Sequence, residues 1–179
     1  MGIVTSPKPA KLIAGILLSN PDETKAPFFQ RLEGRFGFMD KVSEQSKFDK
    51  TTYYDREMGH PLYRVFVSFR ALVAPDTLPD IKLATNQMET SSPNETGGRR
   101  VNVDPGILTL QNLILATTKN YTHRIYLGKG IYGDLTLIFQ KGQYLPLPWT
   151  YPDYKDDAAR RFFFDVRKIY KTQLKELEP

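Results

Sequence analysis

The chain has 179 residues, of which 40% are hydrophobic, and it contains no cysteine. This length and apolar content predict one compact domain over residues 1–179 with a substantial core. The lack of cysteine excludes disulfides, thiolate zinc sites and cysteine nucleophiles, and leaves carboxylates and two histidines as possible metal ligands. No apolar run reaches the about 18 residues of a membrane span, so we predict a cytoplasmic protein without a membrane segment.

The formal net charge of +5 comes from the C-terminal half of the chain. Residues 1–98 carry 12 Lys+Arg and 12 Asp+Glu, whereas residues 99–179 carry 13 and 8. A basic surface raises the local concentration of anions, which favours phosphates, nucleotides or RNA as ligands. The alternative is that the excess Lys and Arg side chains only solvate helices near the C-terminus.

Hydrophobic periodicity in the first half predicts alternating strands and helices. Residues 11–19 form a continuous apolar run of strand length, which is typical of a strand covered on both faces. In chain order we predict a strand over 11–19, a helix over 27–37, a strand within 38–48, a strand over 63–73, a helix from 75 and a strand over 99–104 that ends at Pro105-Gly106. The order β-α-β-β-α-β is that of a split βαβ, ferredoxin-like sheet, so the predicted class is α+β.

The second half predicts an extension of this sheet. We expect a helix over 109–119, paired strands over 121–127 and 134–140, a further strand over 143–147, and a terminal helix from about 156 to 177. A turn is expected over 91–98, where Ser, Pro, Asn and Gly cluster. The predicted fold is therefore a split βαβ sheet with a C-terminal β-hairpin extension and a terminal helix.

A glycine-rich segment, Gly128-Lys-Gly-Ile-Tyr-Gly133, matches the pattern G-x-G-x-x-G. Such glycines let backbone N–H groups approach phosphates, which makes Gly128, Lys129 and Gly130 candidate ligand contacts. A dinucleotide-binding fold requires a helix after this pattern, and a strand is predicted there instead. The alternative is a β-hairpin whose glycines supply positive φ angles.

Basic and aromatic side chains alternate just before this segment, in Lys119-Asn-Tyr-Thr-His-Arg-Ile-Tyr126. Lys119 and Arg124 are candidate anion contacts, and Tyr126 is a candidate stacking surface. His123 is a candidate general acid or base because the ordinary pKa of histidine, about 6.5, lies near physiological pH. In a strand, His123 and Arg124 point to opposite faces, and a semi-buried structural role for the histidine is the alternative.

Two further segments carry candidate residues. Asp104 ends a predicted strand before Pro105-Gly106, where it either acts as a base or metal ligand or accepts hydrogen bonds from its own turn. The segment 145–154 holds the only tryptophan and three prolines, which predicts a stiff, extended cover. Its Trp149, Tyr151 and Asp153 are candidate ligand contacts, and the alternative is that they pin the segment to the core.

Several long motifs resemble the bacterial domain-of-unknown-function family 4416. The resemblance rests on residues 102–106, 116–132 and 148–154, and extends to residues 53–59 and 81–86. It implies no activity. Some members are labelled GTP-binding proteins, whereas this sequence lacks both G-x-x-x-x-G-K-[ST] and N-K-x-D.

We therefore expect a domain that binds a phosphate-bearing small ligand, most simply a nucleotide. If it is catalytic, His123 and Asp104 are the acid–base candidates for a hydrolase or transferase reaction. The sequence leaves two alternatives open. One is an RNA-binding module, because a basic split βαβ sheet can stack bases, and the other is a non-enzymatic structural or partner-binding protein. The cofactor and the oligomeric state stay open.

Overall fold

The structure is a computed structural model that describes residues 2–22, 27–94 and 97–177. Residues 95 and 96 of the predicted turn lie outside the described residues. One antiparallel sheet of nine strands runs through the molecule. Its strands are β1 (Ala10–Leu18), β2 (Met39–Val42), β3 (Ser46–Phe48), β4 (Leu62–Val73), β5 (Val101–Leu108), β6 (Asn112–Thr117), β7 (Arg124–Gly128), β8 (Ile131–Gln140) and β9 (Gln143–Pro146).

The strand order is β2-β4-β1-β5-β6-β8-β7, with β3 beside β4 and β9 beside β8. β1 lies in the middle of the sheet, and all nine of its residues are buried. This agrees with its continuous apolar sequence, because a strand with both faces covered has no solvent face to make polar.

Helices cover both faces of the sheet. They are α1 (Pro27–Phe36), α2 (Asp55–Met58), α3 (Leu78–Thr90), α4 (Pro152–Lys155) and α5 (Asp157–Glu176). α1 and α3 pack on the face that carries Leu12 and Ile16 of β1, and α5 packs on the opposite face, against Ile13. No helix within the described residues is both long enough and apolar enough to cross a membrane.

Helix ends follow their local sequence. α1 starts at Pro27, whose fixed φ suits the first helical position. It ends before Gly37, which has a φ of 92° and donates its N–H to Glu33 O at 2.8 Å. A short 3₁₀ turn over Pro75–Thr77 precedes α3, and Pro79 lies in the first turn of that helix, as expected.

The predicted α+β class is confirmed, as are helices α1, α3 and α5 and strands β1, β4, β7, β8 and β9. The finer prediction, a split βαβ sheet of ferredoxin type with a hairpin extension, is not supported, because the sheet is continuous over nine strands. The helix predicted over 109–119 is wrong. Its apolar run Leu113-Ile-Leu-Ala116 is strand β6, buried between β5 and β8.

Pro105-Gly106 does not end a strand, contrary to prediction, because β5 continues to Leu108. Gly106 is the point where β6 first pairs with β5, opposite Leu115. A Cβ atom on Gly106 would lie 2.5 Å from Ile114 O, so only glycine permits this close approach of the two backbones.

Candidate functional site

β5 and β6 pair over only three residue pairs, from Gly106–Leu115 to Leu108–Leu113, and then diverge. We call this divergence the fork. It encloses a cavity of about 930 Å³. The cavity is lined by both strands, by α3, by the loops around residues 48–57 and 93–99, by residues 117–119 after β6, and by residues 151–154.

In the fork, no strand among the described residues pairs with one side of β5, and α3 supplies hydrogen bonds there instead. Val103 donates its N–H to Glu89 Oε1 at 2.9 Å, and Lys82 Nζ donates to Val103 O at 2.8 Å. Backbone N–H groups alternate in direction along a strand, so the nitrogen of Pro105, two residues after Val103, also faces the fork. Proline has no N–H to donate, and at this position it takes no hydrogen bond away from a neighbouring strand. Neither Lys82 nor Glu89 was predicted as a site residue from the sequence.

Arg64 of β4 lies at the floor of the cavity with 4% of its surface exposed. Its Nη1 lies 3.4 Å from Asp104 Oδ2, and its Nε lies 2.8 Å from Asp153 Oδ2. The second contact is an ion pair without hydrogen-bond geometry, since neither atom counts as hydrogen-bonded among the described residues. The rings of Phe48 and Tyr154 flank the guanidinium, at 5.2 and 5.8 Å from its Cζ. Arg64 was not predicted as a site residue, although a charge inside an apolar strand was a usable signal.

Two buried polar atoms at this floor have no hydrogen-bond partner within the described chain: Tyr154 Oη and Asn102 Nδ2. Tyr154 is 1% exposed and Asn102 is 4% exposed, and both line the cavity. An unsatisfied buried polar group costs about 1–3 kcal/mol. Both atoms are closed off from the open space of the cavity, so they are unpaired beneath its floor within the described chain.

Burial governs proton binding at the floor. It raises the pKa of the Asp153 carboxyl, an effect that the nearby Arg64 charge partly offsets. Burial also raises the pKa of Tyr154 well above its ordinary value, so its hydroxyl keeps its proton at neutral pH.

Arg99 ties the mouth of the cavity together. Its Nε and Nη2 donate to the two carboxylate oxygens of Glu57 at 2.6 and 2.8 Å, and its Nη1 donates to Glu89 Oε2 and Asn102 Oδ1, each at 2.7 Å. These bonds connect α2, α3 and β5. Because two carboxylates already pair with Arg99, it is poorly suited to bind an added anion.

On the β8 side, Asp134 is shared between two of the predicted site residues. Its Oδ2 accepts from Arg124 Nε at 2.8 Å and lies 3.1 Å from His123 Nε2. Arg124 also donates to Tyr151 Oη at 2.6 Å. β7 begins at Arg124, and His123 belongs to the preceding turn, so both side chains reach one carboxylate and the expectation of opposite faces is wrong.

Trp149 covers this cluster. Its ring stacks on His123 with a centroid distance of 4.7 Å and an angle of 12°, and its Nε1 donates to Leu135 O at 2.8 Å. The proline-rich segment is thus pinned onto β8. Neither His123 nor Trp149 is among the described residues that line the cavity, whereas Arg124 and Tyr151 are.

Lys119 lies at the exposed end of the cavity. Its Nζ donates to Tyr53 Oη at 2.7 Å and lies 4.4 Å from the centre of that ring. The hydrogen bond from Lys119 lowers the pKa of Tyr53. Unlike Arg64, Arg99 and Arg124, Lys119 has a neutral side chain as its contact in the described structure.

The glycine-rich segment is not part of this cavity. Lys129 and Gly130 have φ angles of 55° and 76° and link β7 to β8, which is the hairpin alternative. Lys129 Nζ pairs with Asp80 at 2.6 Å on the surface, and Tyr126 is exposed on the edge strand. Of the predicted site residues, the cavity brings together Asp104, Lys119, Arg124, Tyr151 and Asp153, and leaves out Tyr126, Gly128, Lys129 and Gly130.

Within the described ranges, no three His, Asp or Glu side chains are grouped as a metal ion requires. The family model described as "Domain of unknown function (DUF4416)" matches residues 8–170. The chain belongs to this family. The match includes every element from β1 to most of α5, and therefore the whole fork of this DUF4416 protein. No curated protein and no solved structure matches the chain.

Proposed function

We propose that the cavity in the fork binds a phosphate-bearing small molecule, a nucleotide being the simplest candidate. The observation that carries the proposal is a cavity with an exposed ammonium, Lys119, beside a neutral phenol and a partly exposed carboxylate, Asp104, on its floor. A charged and a polar group that face one cavity are typical of a small-molecule site.

Size and lining support a small organic ligand. Pockets of about 300–1,000 Å³ hold most drug-sized molecules, and this cavity has about 930 Å³. Aromatic side chains of Tyr53, Tyr54 and Tyr151 line it and offer flat surfaces to a ring.

Lys119 supports an anionic group on the ligand. Its ammonium is exposed and contacts a neutral phenol, so a phosphate there would gain a charge partner without breaking an ion pair. Of the two acid–base candidates, Asp104 lines the cavity and His123 lies behind Asp134. Any hydrolase or transferase step would therefore begin with Asp104 as the base.

Thermal unfolding with ribonucleoside mono- and triphosphates tests the proposal. A ligand at ten times its Kd adds about 1.4 kcal/mol of stability, which raises the Tm of a chain of this size by roughly 3–6 °C. We expect Lys119→Met to reduce this shift and Lys129→Met, the matched change outside the cavity, to preserve it. No shift with any nucleotide at millimolar concentration would refute the proposal, and equal loss in both variants would place binding outside the cavity.

RNA binding is the second candidate, and exposed aromatic rings on and beside the edge strand favour it. Tyr121 and Tyr126 are 64% and 59% exposed. Bases stack on such rings, and RNA affinity then falls steeply with salt. Tyr126→Ala would weaken the binding of a short single-stranded RNA under this candidate, and would leave the nucleotide shift unchanged under the first.

A further inference from the structure

The floor and the exposed end of the cavity offer different chemistry. At the floor, Asn102 and Asp104 are two residues apart on β5, so their side chains leave the same face of the strand, about 6–7 Å apart. Asn102 Oδ1 accepts from Arg99, which identifies Nδ2 as the free donor of this amide. Asp104 is in part exposed to the cavity, and its contact with Arg64 is long, 3.4 Å.

Charge at the floor disfavours a phosphate there. Arg64 is the cation in contact with Asp104 and Asp153, so one positive charge faces two carboxyl groups. A dianionic phosphate beside Asp104 would meet a like charge in a poorly solvated place, which is unfavourable. An uncharged polar group meets no such penalty, and can donate to the partly exposed Asp104 carboxylate.

The exposed end of the cavity, in contrast to the floor, favours a phosphate. Lys119 contacts a phenol rather than a carboxylate, and phosphate remains partly hydrated beside an exposed ammonium. The two ends of the cavity therefore suit the two ends of a nucleotide.

We propose that a nucleotide binds with its base on the floor, at Asp104, and with its phosphate at Lys119. The base would present one N–H donor to the partly exposed Asp104 carboxylate. This inference rests on the proposed function and adds the direction of binding and the group that reads the base. The flat Tyr walls fit a ring in this position better than a branched phosphate.

Binding of the four ribonucleosides, their 5′-monophosphates and ribose 5-phosphate, measured by isothermal titration calorimetry, tests the direction. Asp104→Asn keeps the shape of the side chain but leaves one acceptor oxygen for two donors, Arg64 Nη1 and the ligand N–H, so one of them loses its partner. We expect it to weaken the best nucleoside and its monophosphate by the same factor, about 5- to 100-fold, because an unpaired buried group costs that much. We expect Lys119→Met to weaken the monophosphate and leave the nucleoside unchanged.

Two controls keep the test decisive. Asp76→Asn makes the same change on an exposed residue of the Pro75–Thr77 turn, outside the cavity, and is expected to have no effect. Lys119→Met changes an exposed residue, so it retains the fold even if Asp104→Asn does not. Under the proposal its effect is confined to phosphate-bearing compounds.

Three outcomes overturn the inference. If Asp104→Asn weakens ribose 5-phosphate as much as the nucleotide, the sugar or phosphate occupies the floor. If Lys119→Met weakens nucleoside and monophosphate equally, the phosphate is not at Lys119. If no phosphate-bearing compound binds the unaltered chain, the proposed function itself fails, whereas the first two results leave that function standing with a different orientation.

Discussion

Gly15 provides the sharpest test of the packing at the cavity floor. It lies in β1 opposite Asp104 of β5, and a Cβ atom there would lie 2.2 Å from Tyr154 Oη and 3.1 Å from Arg64 Nη1. The Tyr154 ring cannot retreat easily, since it stacks on Phe163 at 5.7 Å and meets Phe66 edge-on at 5.0 Å. We expect Gly15→Ala to lower the free energy of unfolding by about 1–3 kcal/mol, the usual cost of overpacking a core.

The hydroxyl of Tyr154 is responsible for most of this clash. Without it, the nearest atom of that ring lies 3.2 Å from the added Cβ, a tight contact that a small shift relieves. Tyr154→Phe alone should change stability little, because this hydroxyl has no hydrogen bond in the described structure. The double variant should recover about 1 kcal/mol or more of the loss from Gly15→Ala.

Urea unfolding monitored by circular dichroism measures all four chains, with the midpoint reporting stability when the slope is constant. Gly34→Ala is the matched control. It lies on the exposed side of α1 with open space around it, and should stabilise the protein by about 0.5–1 kcal/mol. A Gly15→Ala variant as stable as the parent chain, or a strictly additive double variant, would refute the packing described here.

The other predictions concern charge and the fork. Arg64→Met leaves the buried Asp153 without its cation and should lower the free energy of unfolding by about 3–5 kcal/mol. The same change at exposed Arg70 of β4 should alter it by no more than about 0.5 kcal/mol. Equal effects of the two substitutions in urea unfolding would contradict the buried ion pair. The pKa of Asp153 is raised in the folded chain by burial, so its contribution to stability is largest below about pH 4 and is lost as the pH rises through the folded pKa. The unfolding free energy of the parent chain relative to Asp153→Asn should therefore fall with rising pH. A difference that rises instead would show that the Arg64 charge affects the pKa of Asp153 more than burial does. Gly106→Ala places a Cβ 2.5 Å from Ile114 O, so we expect a loss of about 2 kcal/mol or more and faster amide hydrogen exchange at β5 and β6; unchanged exchange would contradict the close approach.

Hydrophobic periodicity predicted most helices and strands, and it failed where the pattern of a buried strand resembles that of a buried helix. The apolar run of β6 fits a buried strand as well as a buried helix, and only its position between β5 and β8 decides the matter. Pro105-Gly106 is typical of a turn, yet here the proline faces the fork and the glycine permits close backbone approach.

The candidate site was partly predictable for a physical reason. Asp104 and Asp153 stand out as polar residues beside turns, and both line the cavity. Arg64 and Glu89 lie inside a predicted strand and helix, where a charge is usually taken to face solvent. Their roles depend on the divergence of β5 from β6, which no local pattern specifies.

That divergence also has a mechanical consequence. Three residue pairs join the two halves of the sheet, and α5 packs on Phe66 of one half and on Leu137 of the other. Because these pairs lie at the closed end of the fork, a change in the angle between β5 and β6 would alter the width of the cavity most at its mouth. The position of α5 against the two halves of the sheet therefore helps to set that width.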